Sequence, residues 1–228
     1  KARAEAPRFF YELARHGTTT AMVYAAIFED SCDAAFDAAE RSGLRVILGK
    51  MMMDLGSYGT LQPKKVLSVS LLESERLCRK WHGRAHGRLE YAFSPRFAVS
   101  CSEKLMRSAA ELAKSCGAYI QTHLAENREE LEKVHHLYMT ARDYTDVYEK
   151  AGLLTPRTML GHCIHLQPRE IAAIAAAPEP ASATTCRSGR CWHMRINRAH
   201  AKGSSSTINV LMGSLPVPRN SRDRCGSQ

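Results

Sequence analysis

With 228 residues, of which 44% are hydrophobic, the chain is long enough to bury a core, so disorder throughout is excluded. The net charge of +9 is concentrated in residues 178–228, whose eight basic and two acidic side chains account for +6. The remaining residues are close to neutral, so the body of the protein is not expected to bind nucleic acid.

The cysteines and the apolar runs indicate the compartment. Eight cysteines are spread along the chain, which favours free thiols in a reducing environment over a disulfide framework. No run of 18 uncharged apolar residues occurs, and residues 1–6 contain no signal-peptide core. We therefore expect a soluble, cytoplasmic protein without membrane contacts. Because the chain opens at Lys1 and not at a methionine, we also expect a fragment of a longer product.

Residues 5–177 alternate helical periodicity with short apolar runs, which is the pattern of repeated βα units. After a first helix that ends near Gly17, Ser31 is the expected N-cap of the second helix and Gly43 its end. The spacing of Ser100 and Glu103 predicts a capping box. The predicted strands cover residues 18–24, 44–49, 89–93, 119–123 and 158–162, and the later helices cover residues 32–42, 65–81, 100–115, 128–137, 144–151 and 168–177.

Five strands, each followed by a helix, predict an α/β fold with a parallel sheet, either doubly wound or part of a (β/α)8 barrel. Composition does not separate the two. Arg96, His123, Glu126 and His162 fall at or just beyond the carboxyl ends of predicted strands. Both folds keep their active sites at that edge, so we expect these side chains to meet there.

His123 at a strand end and Glu126 three residues later can point into one pocket. Metal-assisted hydrolysis uses such a pair, because imidazole holds a divalent ion and the carboxylate carries protons from water to the leaving group. A structural histidine and a helix-capping glutamate are the alternative. Strand alternation places His162 and His165 on opposite faces, so one of them is expected to join His123, and His162 is nearer the strand end. A buried histidine bonded to backbone is the alternative there.

Several separated motifs, all in the same order along the chain, resemble the guanine deaminase family of the amidohydrolase superfamily. The resemblance spans about residues 5–177. The motifs are Gly17-Thr-Thr-Thr20, Gly49-Lys-Met-Met-Met-Asp54, Ser94-Pro-Arg-Phe97, Tyr119-Ile-Gln-Thr-His-Leu-Ala-Glu-Asn-Arg-Glu-Glu130, Tyr144-Thr-Asp-Val-Tyr-Glu-Lys-Ala-Gly-Leu-Leu154 and Gly161-His162.

The resemblance implies a partial (β/α)8 barrel that binds one zinc ion and converts guanine and water to xanthine and ammonia in purine catabolism. By this resemblance His123 is a zinc ligand that also contacts substrate, and Glu126 binds substrate and shuttles protons. It also implies that His162 acts beside the metal and the substrate, and that Arg96 and Phe97 hold the purine. An intact family member is expected to be a homodimer.

Two ligand motifs implied by the resemblance are missing. The family carries a His-x-His pair on its first barrel strand and an aspartate in a Gly-Thr-Asp-like stretch on its last, and this sequence contains neither. Only His123 is left as a matched ligand, although zinc sites need three or four. We therefore expect weak metal binding and little or no catalysis by this chain.

After Ala177 the periodicity stops, so we predict a partial barrel over residues 1–177 and an irregular, non-homologous basic tail over residues 178–228. A shifted reading frame accounts for such a tail. One alternative function is a non-catalytic barrel remnant whose tail binds nucleic acid. Another is an aminohydrolase of the same superfamily that acts on a different heterocycle. A zinc site in the tail is a third possibility, although its spacings match no common finger; its members would be Cys186, Cys191, His193, His200 and Cys225.

Overall fold

The computed structural model describes residues 1–56 and 63–177, so the predicted tail lies outside the described residues. Within the described part, strands and helices alternate. The strands are β1 (Thr20–Ala25), β2 (Arg45–Met52), β3 (Leu89–Pro95), β4 (Tyr119–Leu124) and β5 (Thr158–His162). The α-helices are α1 (Ala2–Arg15), α2 (Glu29–Ser42), α3 (Pro63–Trp81), α4 (Arg84–Gly87), α5 (Glu103–Cys116), α6 (Arg128–Leu137), α7 (Tyr144–Lys150) and α8 (Pro168–Ala175), and a 3-10 turn covers Ala98–Ser100.

The predicted elements are present, but the predicted start of α2 is wrong. Ser31 lies inside this helix, whose N-cap is Phe28 without a side-chain hydrogen bond. Glu29 and Asp30 occupy the first turn, where their charges compensate the unpaired amide groups that a capping serine would otherwise satisfy. The other end is as predicted, because Gly43 has the left-handed conformation that ends a helix, with φ of 76°.

The start of α5 also differs from the prediction, because a distant residue selects the cap. Ser102, and not Ser100, is the N-cap, and its hydroxyl accepts a hydrogen bond from Leu105 N at 3.1 Å. The same hydroxyl donates to Asp54 Oδ2 at 2.5 Å, and Asp54 follows β2. Local spacing does not contain this long-range contact, so the sequence favours the wrong serine.

The strand order distinguishes the two predicted architectures. All strand pairs are parallel, and the strands lie in chain order from β1 to β5. A doubly wound sheet reverses its order at a switch point, which places helices on both faces. Among the described strands the order is sequential, so right-handed crossovers place the helices on one face and leave the other face as an interior.

The sheet is strongly curled, as one side chain shows. Gln121 on β4 donates from Nε2 to Val23 O on β1 at 3.1 Å and to Ser94 Oγ on β3 at 2.8 Å. In a flat sheet, strands roughly 4.8 Å apart would separate β1 from β4 by about 14 Å, which no single glutamine spans. The described residues therefore form a curled, partial (β/α)8 barrel, and the predicted fold is confirmed.

Aromatic side chains fill the space between the sheet and its helices. Phe36 on α2 stacks on Trp81 of α3 with ring centroids 5.2 Å apart, and on Tyr91 of β3 at 6.1 Å. All three rings are buried. Trp81 Nε1 donates to Asp33 at 2.8 Å, so its polar atom is satisfied as well. This core packs the helices against the outer face of the sheet, so the carboxyl ends of the strands are not covered by it.

Two expectations from composition can be compared with the described part of the chain. Its cysteines are free thiols, as predicted for a reducing environment: Cys32, Cys78, Cys101, Cys116 and Cys163. Over residues 1–56 and 63–177, no helix is both long enough and apolar enough to cross a bilayer.

Candidate active site

The predicted site residues meet at the carboxyl edge of the sheet. Arg96 and Phe97 follow β3, His123 lies near the end of β4, Glu126 follows it, and His162 ends β5. The ring centroids of His123 and His162 are 5.3 Å apart. Glu126 Oε2 lies 3.6 Å from His162 Nε2, and the Arg96 carbonyl contacts the ring of His123 at 2.7 Å. The structure therefore brings the side chains of His123, Glu126 and His162 together and joins Arg96 to them through its main-chain carbonyl.

His123 is held in one orientation and one tautomer. Its Nδ1 lies 2.7 Å from Arg96 O, and since a carbonyl only accepts, Nδ1 must carry the proton. The Nε2 lone pair then faces outward as an acceptor or ligand. The ring also stacks on Tyr24 of β1, with centroids 4.5 Å apart and an interplanar angle of 29°. Burial lowers the pKa of His123, so the neutral imidazole is favoured.

An NMR pH titration checks this state of His123. Burial disfavours the charged ring, so we expect its midpoint below the ordinary value of 6.5. Because the folded-state pKa is lowered, the unfolded chain takes up the proton first, and folding stability falls as the pH drops from about 6.5 toward the folded-state pKa. A midpoint at or above 6.5 would contradict the described environment.

His162 reaches the site through an unusual backbone conformation. The register pairs His123 with Gly161 and Leu124 with His162, so in a regular strand His162 would share the face of buried Leu124. His162 instead has φ of 68°, in the left-handed region. This conformation interrupts the alternation and brings its ring beside His123. The predicted residue is therefore the one at the site, although alternation alone is not the reason.

Further left-handed residues surround the same edge. Ala125 after β4 and Cys163 after β5 have φ of 53° and 55°. Such conformations cost free energy outside glycine and concentrate at functional sites. Leu124 O accepts from Cys163 N at 2.8 Å and Ala125 O accepts from Ile164 N at 3.1 Å, so the two loops hold each other. Burial raises the pKa of the Cys163 thiol to about 12, which excludes a reactive thiolate at neutral pH.

Arg96 and Phe97 form a cationic and aromatic pair at the rim. The Arg96 guanidinium lies 5.0 Å from the centre of the Phe97 ring, and its Nη1 contacts Met53 Sδ at 3.8 Å. Arg96 is exposed and Phe97 is half-buried. A guanidinium with accessible donors beside an aromatic face suits a flat heterocycle that carries a carbonyl group.

Tyr24 contributes to the site although the sequence pattern does not predict it. It lies on β1, about a hundred residues from His123 along the chain, so no local spacing connects the two. Its ring covers one face of His123, and burial raises the pKa of its hydroxyl, which therefore stays protonated. The motif around Thr18–Tyr24 indicates a strand and carries no signal for this contact.

Comparison with known proteins shows the family of the chain that carries this site. The profile of the amidohydrolase family matches residues 2–210, which includes every site residue and extends past Ala177. The chain belongs to the amidohydrolase family. Its relatives include a probable guanine deaminase of Deinococcus radiodurans, 39% identical over 178 residues, and the guanine deaminase of Escherichia coli, 37% identical over 170 residues. These matches cover 77% and 74% of the chain but only 39% and 38% of the relatives, so the chain spans about two fifths of their length.

Solved structures of guanine deaminases share the fold. The E. coli enzyme superposes with a TM-score of 0.72 and 35% identity, over 77% of this chain and 41% of that one. The guanine deaminase of C. acetobutylicum, which has guanine bound in its active site, superposes with a TM-score of 0.71 and 30% identity, over 76% of this chain and 41% of that one.

The amidohydrolase family implies a metal, and the site residues fit part of a metal site. A zinc-ligating histidine typically donates its other ring nitrogen to a carbonyl, as His123 does to Arg96. His162 offers a second imidazole beside it. In the described ranges, however, no three His, Cys, Asp or Glu side chains form a group that could hold an ion. The described residues therefore supply an incomplete ligand set.

Proposed function

We propose that this chain carries part of the active site of a zinc-dependent guanine deaminase. The observation that supports this most is the convergence of His123, Glu126 and His162 at the carboxyl edge of the sheet, beside Arg96 and Phe97. The names of the relatives supply the substrate and the reaction, in which guanine and water give xanthine and ammonia.

Each side chain has a role that its surroundings permit. Arg96 donates to the purine carbonyl and Phe97 stacks on the ring. Glu126 is exposed and lies 3.6 Å from His162, so it can take a proton from water and deliver it to the leaving amine. His123 offers Nε2 to the metal. His162 acts beside the metal and the substrate. A bound zinc ion supplies the Lewis acidity that lowers the pKa of water to about 7.

We also propose that the chain binds zinc weakly and turns over little guanine without further ligands. The described residues supply two imidazoles, whereas catalytic zinc sites use three protein ligands. A cytoplasmic location, and a homodimer for the intact family member, stay predictions. The division into a partial barrel over residues 1–177 and a basic tail over residues 178–228 also stays a prediction, and the zinc site in the tail stays an alternative.

Guanine binding with and without Arg96 tests the proposal. In equilibrium dialysis, Arg96→Ala should weaken guanine binding about tenfold or more, because a charged hydrogen bond contributes roughly 1.5–3 kcal/mol. Arg107→Ala is the matched control, since Arg107 is also exposed but lies on α5 and pairs with Glu103 at 2.6 Å. Unchanged guanine affinity in Arg96→Ala would argue for an aminohydrolase that acts on another heterocycle.

The nucleic-acid alternative makes a different prediction. Binding by the basic tail should weaken steeply with added salt and disappear when residues 178–228 are removed. Guanine binding at the barrel edge should change little with either treatment, because the substrate is uncharged at neutral pH. Salt-dependent RNA binding without any guanine binding would favour the alternative.

A further inference from the structure

Three buried polar side chains lie behind the site, on the helix-covered side of the sheet. Glu130 belongs to α6, and Tyr144 and Tyr148 belong to α7. Tyr148 is fully buried, and Glu130 and Tyr144 are 4% and 3% exposed. The sequence pattern predicts helices here but assigns these side chains no role. Buried polar groups that are fully bonded fix the groups they bond.

The hydroxyl of Tyr148 holds the main chain at His123. It donates to His123 O at 2.6 Å and accepts from Thr122 Oγ1 at 3.2 Å. It also accepts from Ala98 N at 3.2 Å, and Ala98 directly follows Phe97. One hydroxyl therefore connects the end of β4 to the loop that carries the predicted purine-holding residues.

Glu130 holds the main chain at Glu126. Its Oε2 accepts from Glu126 N at 2.8 Å, while Asn127 between them caps the helix by accepting from Glu130 N at 2.9 Å. Its Oε1 accepts from the Tyr144 hydroxyl at 2.6 Å. Two hydrogen bonds therefore hold the start of α6, and they fix the direction in which the main chain at Glu126 leads into this helix.

The shortest contacts in this network assign the protons of the two tyrosines. The Tyr144 proton is committed to Glu130, and the Tyr148 proton is committed to His123 O. The two hydroxyl oxygens lie 3.2 Å apart, and Ala98 N lies within 3.3 Å of both. A buried network of this kind resists displacement, because moving one group breaks several hydrogen bonds at once.

Between the two anchored residues lies a strained one. Ala125 follows the segment held by Tyr148, precedes the residue held by Glu130, and has φ of 53°. A non-glycine residue keeps this conformation only when its surroundings enforce it. The network holds the residues on both sides of Ala125, while Ala125 O itself accepts from Ile164 N at 3.1 Å and from His165 N at 3.2 Å.

We propose that Glu130, Tyr144 and Tyr148 are positioning residues that set the distance and direction between His123 and Glu126 by holding Ala125 in its left-handed conformation. The proposal rests on the proposed function for the roles of His123 and Glu126. It adds that their mutual geometry is imposed by α6 and α7, and not by the strand alone.

Amide hydrogen exchange of the whole chain tests the positioning directly. In Tyr148→Phe and in Glu130→Gln, the Glu126 amide should exchange at least tenfold faster, while amides of β2 and β3 keep their rates. A purely structural role would accelerate the core amides as well. Tyr91→Phe is the control, since Tyr91 is equally buried and its hydroxyl faces Ser74 and the Lys50 main chain and not His123 or Glu126.

A second readout follows metal binding at the same residues. With Co²⁺ as the probe, paramagnetic broadening of the His123 and His162 ring signals gives a dissociation constant for this site alone. Loss of outer-sphere support typically costs 10–100-fold in metal affinity, so Tyr148→Phe should raise the constant about tenfold or more and Tyr91→Phe should not.

The outcomes separate the two proposals. If the unchanged chain shows no broadening at His123, the proposed metal role fails, and hydrogen exchange alone still decides the positioning. An unchanged Glu126 exchange rate in both network variants would overturn the positioning. Global unfolding of both variants would also overturn it, because the network would then stabilise the whole fold and not the position of Glu126.

Discussion

Replacing His123 with alanine is expected to abolish the Co²⁺ broadening of the His162 ring. The described residues offer two imidazoles whose centroids are 5.3 Å apart, and in the described part no group of three or more His, Cys, Asp or Glu side chains could hold an ion. Removal of one of the two leaves a single weak ligand, so affinity at His162 should fall to the level of an isolated surface histidine.

The control for this experiment is His135→Ala. His135 is exposed on α6, and its ring neighbours His136 and not the site residues. Broadening at His162 should be unaffected in this variant. Because the broadening is read for each histidine ring separately, Co²⁺ that binds to cysteines or histidines beyond Ala177 does not enter the measured affinity. Equal Co²⁺ affinity at His162 with and without His123 would contradict a shared site.

Replacing Gly49 with alanine is expected to destabilise the fold strongly. A Cβ at Gly49 would lie 1.8 Å from Ala92 O and 2.2 Å from Ser94 Oγ. Ala92 is backbone in the adjacent strand β3, so the strands must separate, and forced overpacking of this kind costs about 3 kcal/mol or more. Out of a typical total of roughly 5–15 kcal/mol, that is a large share.

Urea unfolding monitored by circular dichroism measures this loss. Gly161→Ala is the matched control, because a Cβ there would meet its nearest neighbour, Thr122 O, at an ordinary 3.5 Å. We expect a much lower midpoint for Gly49→Ala, or no folded baseline, and a small change for Gly161→Ala. Equal midpoints for the two variants would contradict the close approach of β2 and β3.

Most of the fold follows from local patterns. The predicted and observed bounds agree for α6, which has helical periodicity and Asn127 as its N-cap, and for β5, which is a short run that begins two residues after Pro156. The choice between a doubly wound sheet and a barrel depends on strand order. Strand order is a set of long-range pairings that periodicity does not encode, so only the structure decides it.

The site is predictable only in part, for the same reason. His123, Glu126 and His162 carry a local signal, since each sits at or beyond a strand end and has a side chain suited to hydrolysis. Tyr24 and Tyr148 carry none, because their roles arise from contacts with residues far away in the chain. The left-handed conformation of His162 is likewise set by its surroundings, because residues other than glycine rarely adopt a positive φ.

Under the proposed function, this chain carries the catalytic edge of a guanine deaminase. The most direct test replaces the matched segment of E. coli guanine deaminase with residues 5–177 of this chain and measures xanthine formation from guanine. The remaining part of the E. coli protein then completes the molecule. A folded, zinc-containing hybrid should form xanthine and should lose this activity with Glu126→Gln. A folded, zinc-containing hybrid that forms no xanthine, or that is unaffected by Glu126→Gln, would show that these residues do not carry out the reaction.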